Sequence, residues 1–213
     1  MVAVHLPLRD EHARAQLRAA ATRAAPAVLA GDRLLSVAGP IGDLLPAGGI
    51  QRGSTVALDG PPGAGSTTFV FALAAAATSA GEWAAVVDPD GTFGARAAFD
   101  AGVALERCAV VRRITPDRWT TVVAALLDGV ALVAAALPPV LRPGDARRLT
   151  ARARERAAVL VALGPWPVEA ALRLQVQSGA WSSVNGGGLV TTRDLAVHIE
   201  RKGMRRHLNA RAG

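Results

Sequence analysis

From Thr55 to Gly164 the chain alternates short, continuously apolar runs with helix-length segments, and this pattern constrains its fold more than any other feature. The runs are TVALDG (55–60), WAAVVD (83–88), ERCAVVRRI (106–114), VALVAAAL (130–137) and AAVLVALG (157–164). Between them stand TTFVFALAAAATSAG (67–81), FGARAAFDAGV, DRWTTVVAALLDG and the arginine-rich stretch 144–156, each read as a helix. Strands with no polar alternation are buried on both faces, so helices must cover the sheet from above and below. The expected fold is therefore α/β, a mostly parallel sheet flanked by helices. Downstream, ALRLQVQS (171–178) and DLAVHIERKG (194–203) alternate apolar with polar residues and read as edge strands. Upstream, residues 9–30 read as a helix weakened at Pro26, followed by a loop-rich approach through Leu44, Leu45 and Gly48-Gly49. The expected organisation is an N-terminal helical extension (1–33), a core (34–203) and a loose basic C-terminal tail (204–213).

Composition sets the class. At 213 residues and 51% hydrophobic, the chain can bury one sizeable core. Its most apolar stretch, VVAALLDGVALVAAALPPVL, is cut by Asp128-Gly129 and ends in Pro138-Pro139, which is too broken for a membrane span. The first residues lack the charged start and apolar run of a secretory leader, so none is expected. Cys108 is the single cysteine, which excludes an internal disulfide and a cysteine-cluster zinc site and fits a reducing cytoplasm. His5, His12, His198 and His207 have no metal-ligand spacing, and no metal is expected.

The formal charge of +7 is concentrated in two places. Residues 142–156 carry six arginines against Asp145 and Glu155, and residues 193–213 carry five arginines and Lys202 against Asp194 and Glu200. Such patches suit an anionic or acidic partner, and they also make ordinary solvated surfaces. Arg147, Arg148 and Arg152 in the first patch, and Arg201, Lys202, Arg205 and Arg206 in the second, are the candidate contacts. Among four tryptophans, Trp166 between two prolines and Trp181 in a small-residue loop are candidate interface anchors, the alternative being core packing.

The strand TVALD leads into GPPGAGSTT, which has the spacing of a phosphate loop: Gly60, Gly63 and Gly65, then a helix beginning at Ser66, Thr67 and Thr68. A glycine turn at a helix N-terminus offers backbone amides to an anion with no side chain involved. Ser66, however, stands where a lysine should reach the β- and γ-phosphates. A phosphate-loop ATPase also needs an acid at the end of another buried strand to hold magnesium, and VALVAAALPP has none before Asp145. Both sides of the metal site fail, so the loop reads as a structural turn, with weak binding of ATP and magnesium left as an alternative. Asp88 and Asp90, in VVDPDG, could orient an attacking water, but Asp-Pro-Asp-Gly is a turn signal in its own right.

The segment LLPAGGIQRGSTVALDGPPGAGSTTFVFALAAAATSAGEWAAVVDPDGTF resembles the start of the RecA recombinase core. Over roughly residues 34–200 the chain is most similar to the ImuA type, a shortened RecA-like accessory protein of the bacterial mutasome in its actinobacterial form. The resemblance carries further in RERAAVLVALGPWPVEAALRLQVQSG and LAVHIERKG. It implies a RecA-like phosphate-loop core with a degenerate nucleotide site, in which Asp90 occupies the place of the catalytic glutamate. The position of RecA's phosphate-sensing glutamine falls near Gly164, and its long DNA-binding loop shrinks to GPWPVEA. The implied role is a non-catalytic adaptor in SOS-induced translesion synthesis, with no catalytic residue and no cofactor. It would link an ImuB-type inactive Y-family polymerase relative to an error-prone replicative-type polymerase, with RecA as a further partner and DNA contact mostly indirect. It would be cytoplasmic and associated with the nucleoid after damage. Two alternatives stay open at this point: an atypical weak ATPase using Thr67, Thr68 and Asp90, and a SulA-like inhibitor of cell division.

Overall fold

The computed structural model describes residues 33–177, 181–183, 190–201 and 204–212. The helix expected over 9–30, the Gly186–Gly188 run and Lys202 lie outside them. The approach to the core is ordered where a loop was expected. It forms β1 (Leu34–Ser36), the short helix α1 (Gly39–Leu44) and β2 (Gly49–Gln51), with β1 and β2 paired antiparallel. Leu35, Ile41, Leu44, Leu45 and Ile50 are all buried there, so tertiary packing orders a stretch whose glycines and prolines suggest otherwise.

Each apolar run then becomes a strand and each intervening segment a helix. The order is β3 (Thr55–Asp59), α2 (Ser66–Ser79), β4 (Ala84–Val87), α3 (Ala95–Asp100), β5 (Cys108–Val111), α4 (Pro116–Gly129), β6 (Leu132–Ala136), α5 (Pro143–Glu155) and β7 (Val159–Leu163). The strands β8 (Leu172–Gln177), β9 (Trp181–Ser183), β10 (Val190–Arg201) and β11 (Met204–Ala212) follow. Prolines in the first turns of α1, α4 and α5 start those helices where an amide would go unbonded anyway.

The nine-stranded sheet runs β11-β10-β8-β3-β7-β6-β4-β5, with β9 also paired to β10. The six strands from β8 to β5 are mutually parallel, and β10 is antiparallel to β8 and β11. Two expectations need correcting here. β8 and β10 are interior strands, with Leu172 opposite Val56 on one side of β8 and Leu174 opposite Ile199 on the other. Their alternation reports burial on one face only; it says nothing about edge position. The C-terminal residues expected as a loose tail form β11, paired with β10 from Arg193↔Ala212 to Arg201↔Met204. Backbone pairing secures this strand, although its side chains lack the apolar content by which a buried strand is recognised.

Side-chain alternation divides the core into two layers. Val56, Leu58, Leu132, Ala134, Val159 and Val161 face one way, packing with α2 through Phe69, Leu73 and Ala77. Ala57, Val133, Ala135, Leu160 and Ala162 face the other way, against Trp119, Val123 and Leu127 of α4 and Ala146, Leu149 and Ala153 of α5. The i, i+4, i+8 spacing in α4 and the i, i+3, i+7 spacing in α5 give each helix one apolar stripe. On the first face the core also takes Leu172, Leu174 and Val176 of β8 with Leu195, Val197 and Ile199 of β10. On the second face, Gln175 and Gln177 of β8 and His198 and Glu200 of β10 are exposed. Among the described residues no helix is long and apolar enough to cross a membrane.

Candidate functional site

A cleft of about 550 Å³ opens at the carboxyl ends of β3, β4, β6 and β7. It lies where a doubly wound sheet places its ligands, because adjacent β3 and β7 send their chains in opposite directions, toward β4 and β8. All eight residues singled out from the phosphate-loop spacing and the DPDG turn line this one cleft: Gly60, Gly63, Gly65, Ser66, Thr67, Thr68, Asp88 and Asp90.

The loop has the backbone of an anion site. Gly63 (φ 76°) and Gly65 (φ 115°) take left-handed conformations that a side chain would strain. The Ala64 amide donates to Pro61 O at 2.9 Å, and the Thr68 and Phe69 amides both donate to Gly65 O. The amides of Ser66 and Thr67, at the start of α2, have no intrahelical acceptor, and no side chain caps the helix. Gly60 is held differently. Its amide donates to Asp59 Oδ1 at 2.9 Å, and a Cβ built on it would lie 2.6 Å from the carbonyl oxygen of Val176 in β8. The first glycine of the loop is therefore required by the packing of the neighbouring strand.

The walls oppose what the backbone offers. Asp59, Asp88 and Asp90 line the cleft, and no Arg, Lys or His does so among the described residues. At the lysine position Ser66 heads the helix. Across the cleft, β6 ends in Ala136, and the Leu137 amide donates to Leu163 O at 3.1 Å. The Leu137 side chain packs on Gly164, so apolar groups close the side where a magnesium ligand would sit. Val86, Val87, Phe71 and Phe93 complete an apolar floor, the two phenyl rings meeting edge-to-face at 5.5 Å.

Asp88 is buried and fully engaged in its own turn. Oδ1 accepts from the Thr92 amide at 2.9 Å and the Thr92 hydroxyl at 3.2 Å; Oδ2 accepts from the Phe93 amide at 2.9 Å and from Arg112 Nε at 3.3 Å. Burial pushes the Asp88 carboxyl up, but the Phe93 and Thr92 amides, the Thr92 hydroxyl and Arg112 together outweigh it and hold the group below its ordinary value. Such a carboxylate fastens the β4–α3 connection. Arg112 also donates to Phe93 O at 3.2 Å. Sequence reasoning passed over Arg112. Its role depends on β5 lying beside β4, and the only local signal was an Arg-Arg pair ending an apolar run. Asp90 is exposed at the cleft rim.

The expected contact residues are scattered. Arg147 and Arg148 are exposed on α5. Arg152 is less available than expected, since it and Arg156 clasp Asp128 of α4, with Nε to Oδ1 distances of 2.8 and 3.0 Å. The Arg152 hydrogen bond holds the Asp128 carboxyl below its ordinary range, with Arg156 adding to the effect. Trp166 does not serve as an exposed anchor: it is 3% exposed and packs in the α4–α5 layer. Its flanking prolines hold the chain against the sheet, and Arg173 accordingly donates to the carbonyls of Trp166 and Val168. Trp83, which the sequence reading did not select, is 48% exposed. Arg201 is exposed at the end of β10; Arg205 and Arg206 stand in β11 opposite Glu200 and Ile199; Trp181 stands in β9 opposite Arg193.

The model of one protein family, described as the MT3502 N-terminal domain, matches residues 43–168, more than half of the chain. The chain belongs to the MT3502 N-terminal domain family. The matched span of the MT3502 N-terminal domain runs from α1 to just beyond β7, so it holds every cleft-lining residue named above. The strands β8 to β11 lie past its end. No curated protein matches the chain.

Proposed function

We propose that this chain is a non-catalytic adaptor with a RecA-like core, acting in SOS-induced translesion synthesis and mutagenesis. It would hold an ImuB-type inactive polymerase relative together with an error-prone replicative-type polymerase, in the cytoplasm and near the nucleoid after damage. RecA is a further partner in this proposal, and DNA is approached mainly through the partners.

One observation carries the non-catalytic part: the loop faces three carboxylates and no cation. A unit charge pair 4 Å apart near a protein surface is worth about 4 kcal/mol, so a triphosphate entering this cleft meets repulsion where an active site supplies attraction. The only compensation is the few amides at the start of α2, and the apolar end of β6 offers magnesium no ligand. The RecA-like part is supported by the loop strand β3 lying inside a parallel sheet, separated from β4 by β7 and β6. The adaptor part rests on the sequence resemblance and on the basic surfaces of α5 and the C-terminal strands.

The test uses a Ser66→Ala/Thr67→Ala/Asp90→Ala variant. It should capture the purified ImuB-type protein and polymerase without nucleotide as well as wild type does, and should restore damage-induced mutagenesis to a strain lacking the gene. A folded variant that captures neither partner, or that behaves as a null, would contradict the proposal.

A further inference from the structure

The two edges of the sheet differ. β5, at one end, is only four residues long, and short edges are poor templates for pairing. β11, at the other end, is nine residues long and spans about 30 Å. It pairs with β10 in one unbroken register of nine residue pairs, with no bulge and no proline. Among the described residues no strand lies on its outer side. A long straight edge of this kind presents a row of backbone donors and acceptors that another strand can complete.

The charges of β11 select the partner. The strand carries Arg205, Arg206, His207 and Arg211 and no acid, whereas the acids and arginines of β10 balance. A second copy of this chain, paired antiparallel about Leu208, would set Arg205 against Arg211, and like charges directly opposite destabilise a pair. Nucleic acid could use the same charge, but neither β10 nor β11 contains an aromatic residue on which bases could stack. We propose that β11 is a docking edge that takes an acidic, extended segment of a partner protein as a tenth strand. The backbone ladder would supply affinity, and the arginines would supply selectivity against self-pairing. This deepens the adaptor proposal by naming the chemistry of the partner segment.

The probe is a labelled nine-residue peptide of alternating Glu and Val, titrated against the full chain by fluorescence anisotropy. Binding should saturate and weaken with salt. Arg205→Glu/Arg211→Glu should weaken it about tenfold or more, as expected when two cross-strand charge pairs turn repulsive. The same peptide N-methylated at alternate residues keeps its charge but cannot form the ladder, and it should not bind. No binding by the unmodified peptide would overturn the proposal. So would equal binding by the N-methylated peptide, which would mean charge attraction alone, or preferential capture of a single-stranded oligonucleotide. Self-association abolished by the same double substitution would overturn it in favour of a second copy. A failed titration would leave partner capture intact and so spare the adaptor reading, which fails only if capture itself fails.

Discussion

Gly60→Ala should lower the midpoint of thermal unfolding by about 6–12 °C, whereas Gly63→Ala in the same loop should cost only a few degrees. The first substitution drives a Cβ to 2.6 Å from the Val176 carbonyl oxygen, a backbone atom of β8 that cannot rotate aside. Adjacent strands must spread to admit it, because β3 and β8 are hydrogen-bonded neighbours up to Asp59↔Gln175. Overpacking against a fixed atom costs about 3 kcal/mol, which in a domain of this size corresponds to the stated shift. Gly63 has φ 76° and nothing within 4 Å of its would-be Cβ, so alanine there costs only left-handed strain of about 1 kcal/mol. Circular dichroism melts of the two variants would check this. Equal melting points would mean that the first glycine has no structural role, and the loop would need another explanation.

Asp88→Ala should be comparably damaging for a different reason. It removes one acceptor group from the Thr92 and Phe93 amides, the Thr92 hydroxyl and Arg112. Stranding partly buried donors of this kind costs about 2–4 kcal/mol, with the half-exposed Arg112 contributing least. The effect carries a pH signature. The carboxyl is held below its ordinary 3.8 in the folded protein, so the stability it contributes is fully present above that value. It is lost as pH falls from there through the lower folded value. The stability gap between wild type and Asp88→Ala, measured by urea titration, should therefore be constant from neutral pH down to about 5 and narrow below 4. A gap that widened on acidification would contradict the assigned hydrogen bonds.

The parallel strands and their helices were legible because burial on both faces leaves an apolar run that nothing else in a chain of this composition produces. The degenerate cleft was legible for a related reason: loop spacing fixes which residue occupies the lysine position, and Ser66 stands there whatever the rest of the fold does. What escaped the sequence depends on neighbours. β8 and β10 look like edge strands because one face is polar, and only pairing on both sides shows them to be interior. β11 is held by backbone pairing, which composition does not report. Trp166 between two prolines suggests an exposed loop, yet the fold turns it into the core. The cleft's charge balance also needed the fold, since Asp59 becomes part of the wall only when the ends of β3, β4 and β7 converge.

The most direct measurement is calorimetric titration of the folded, monodisperse protein with ATP and magnesium. A cleft lined by three carboxylates and no cation, with Ala136 at the metal side, predicts no saturable heat at high-micromolar nucleotide. A saturating isotherm with one site per chain would show that the backbone amides of the loop capture phosphate without a lysine. The non-catalytic account would then be contradicted at its centre.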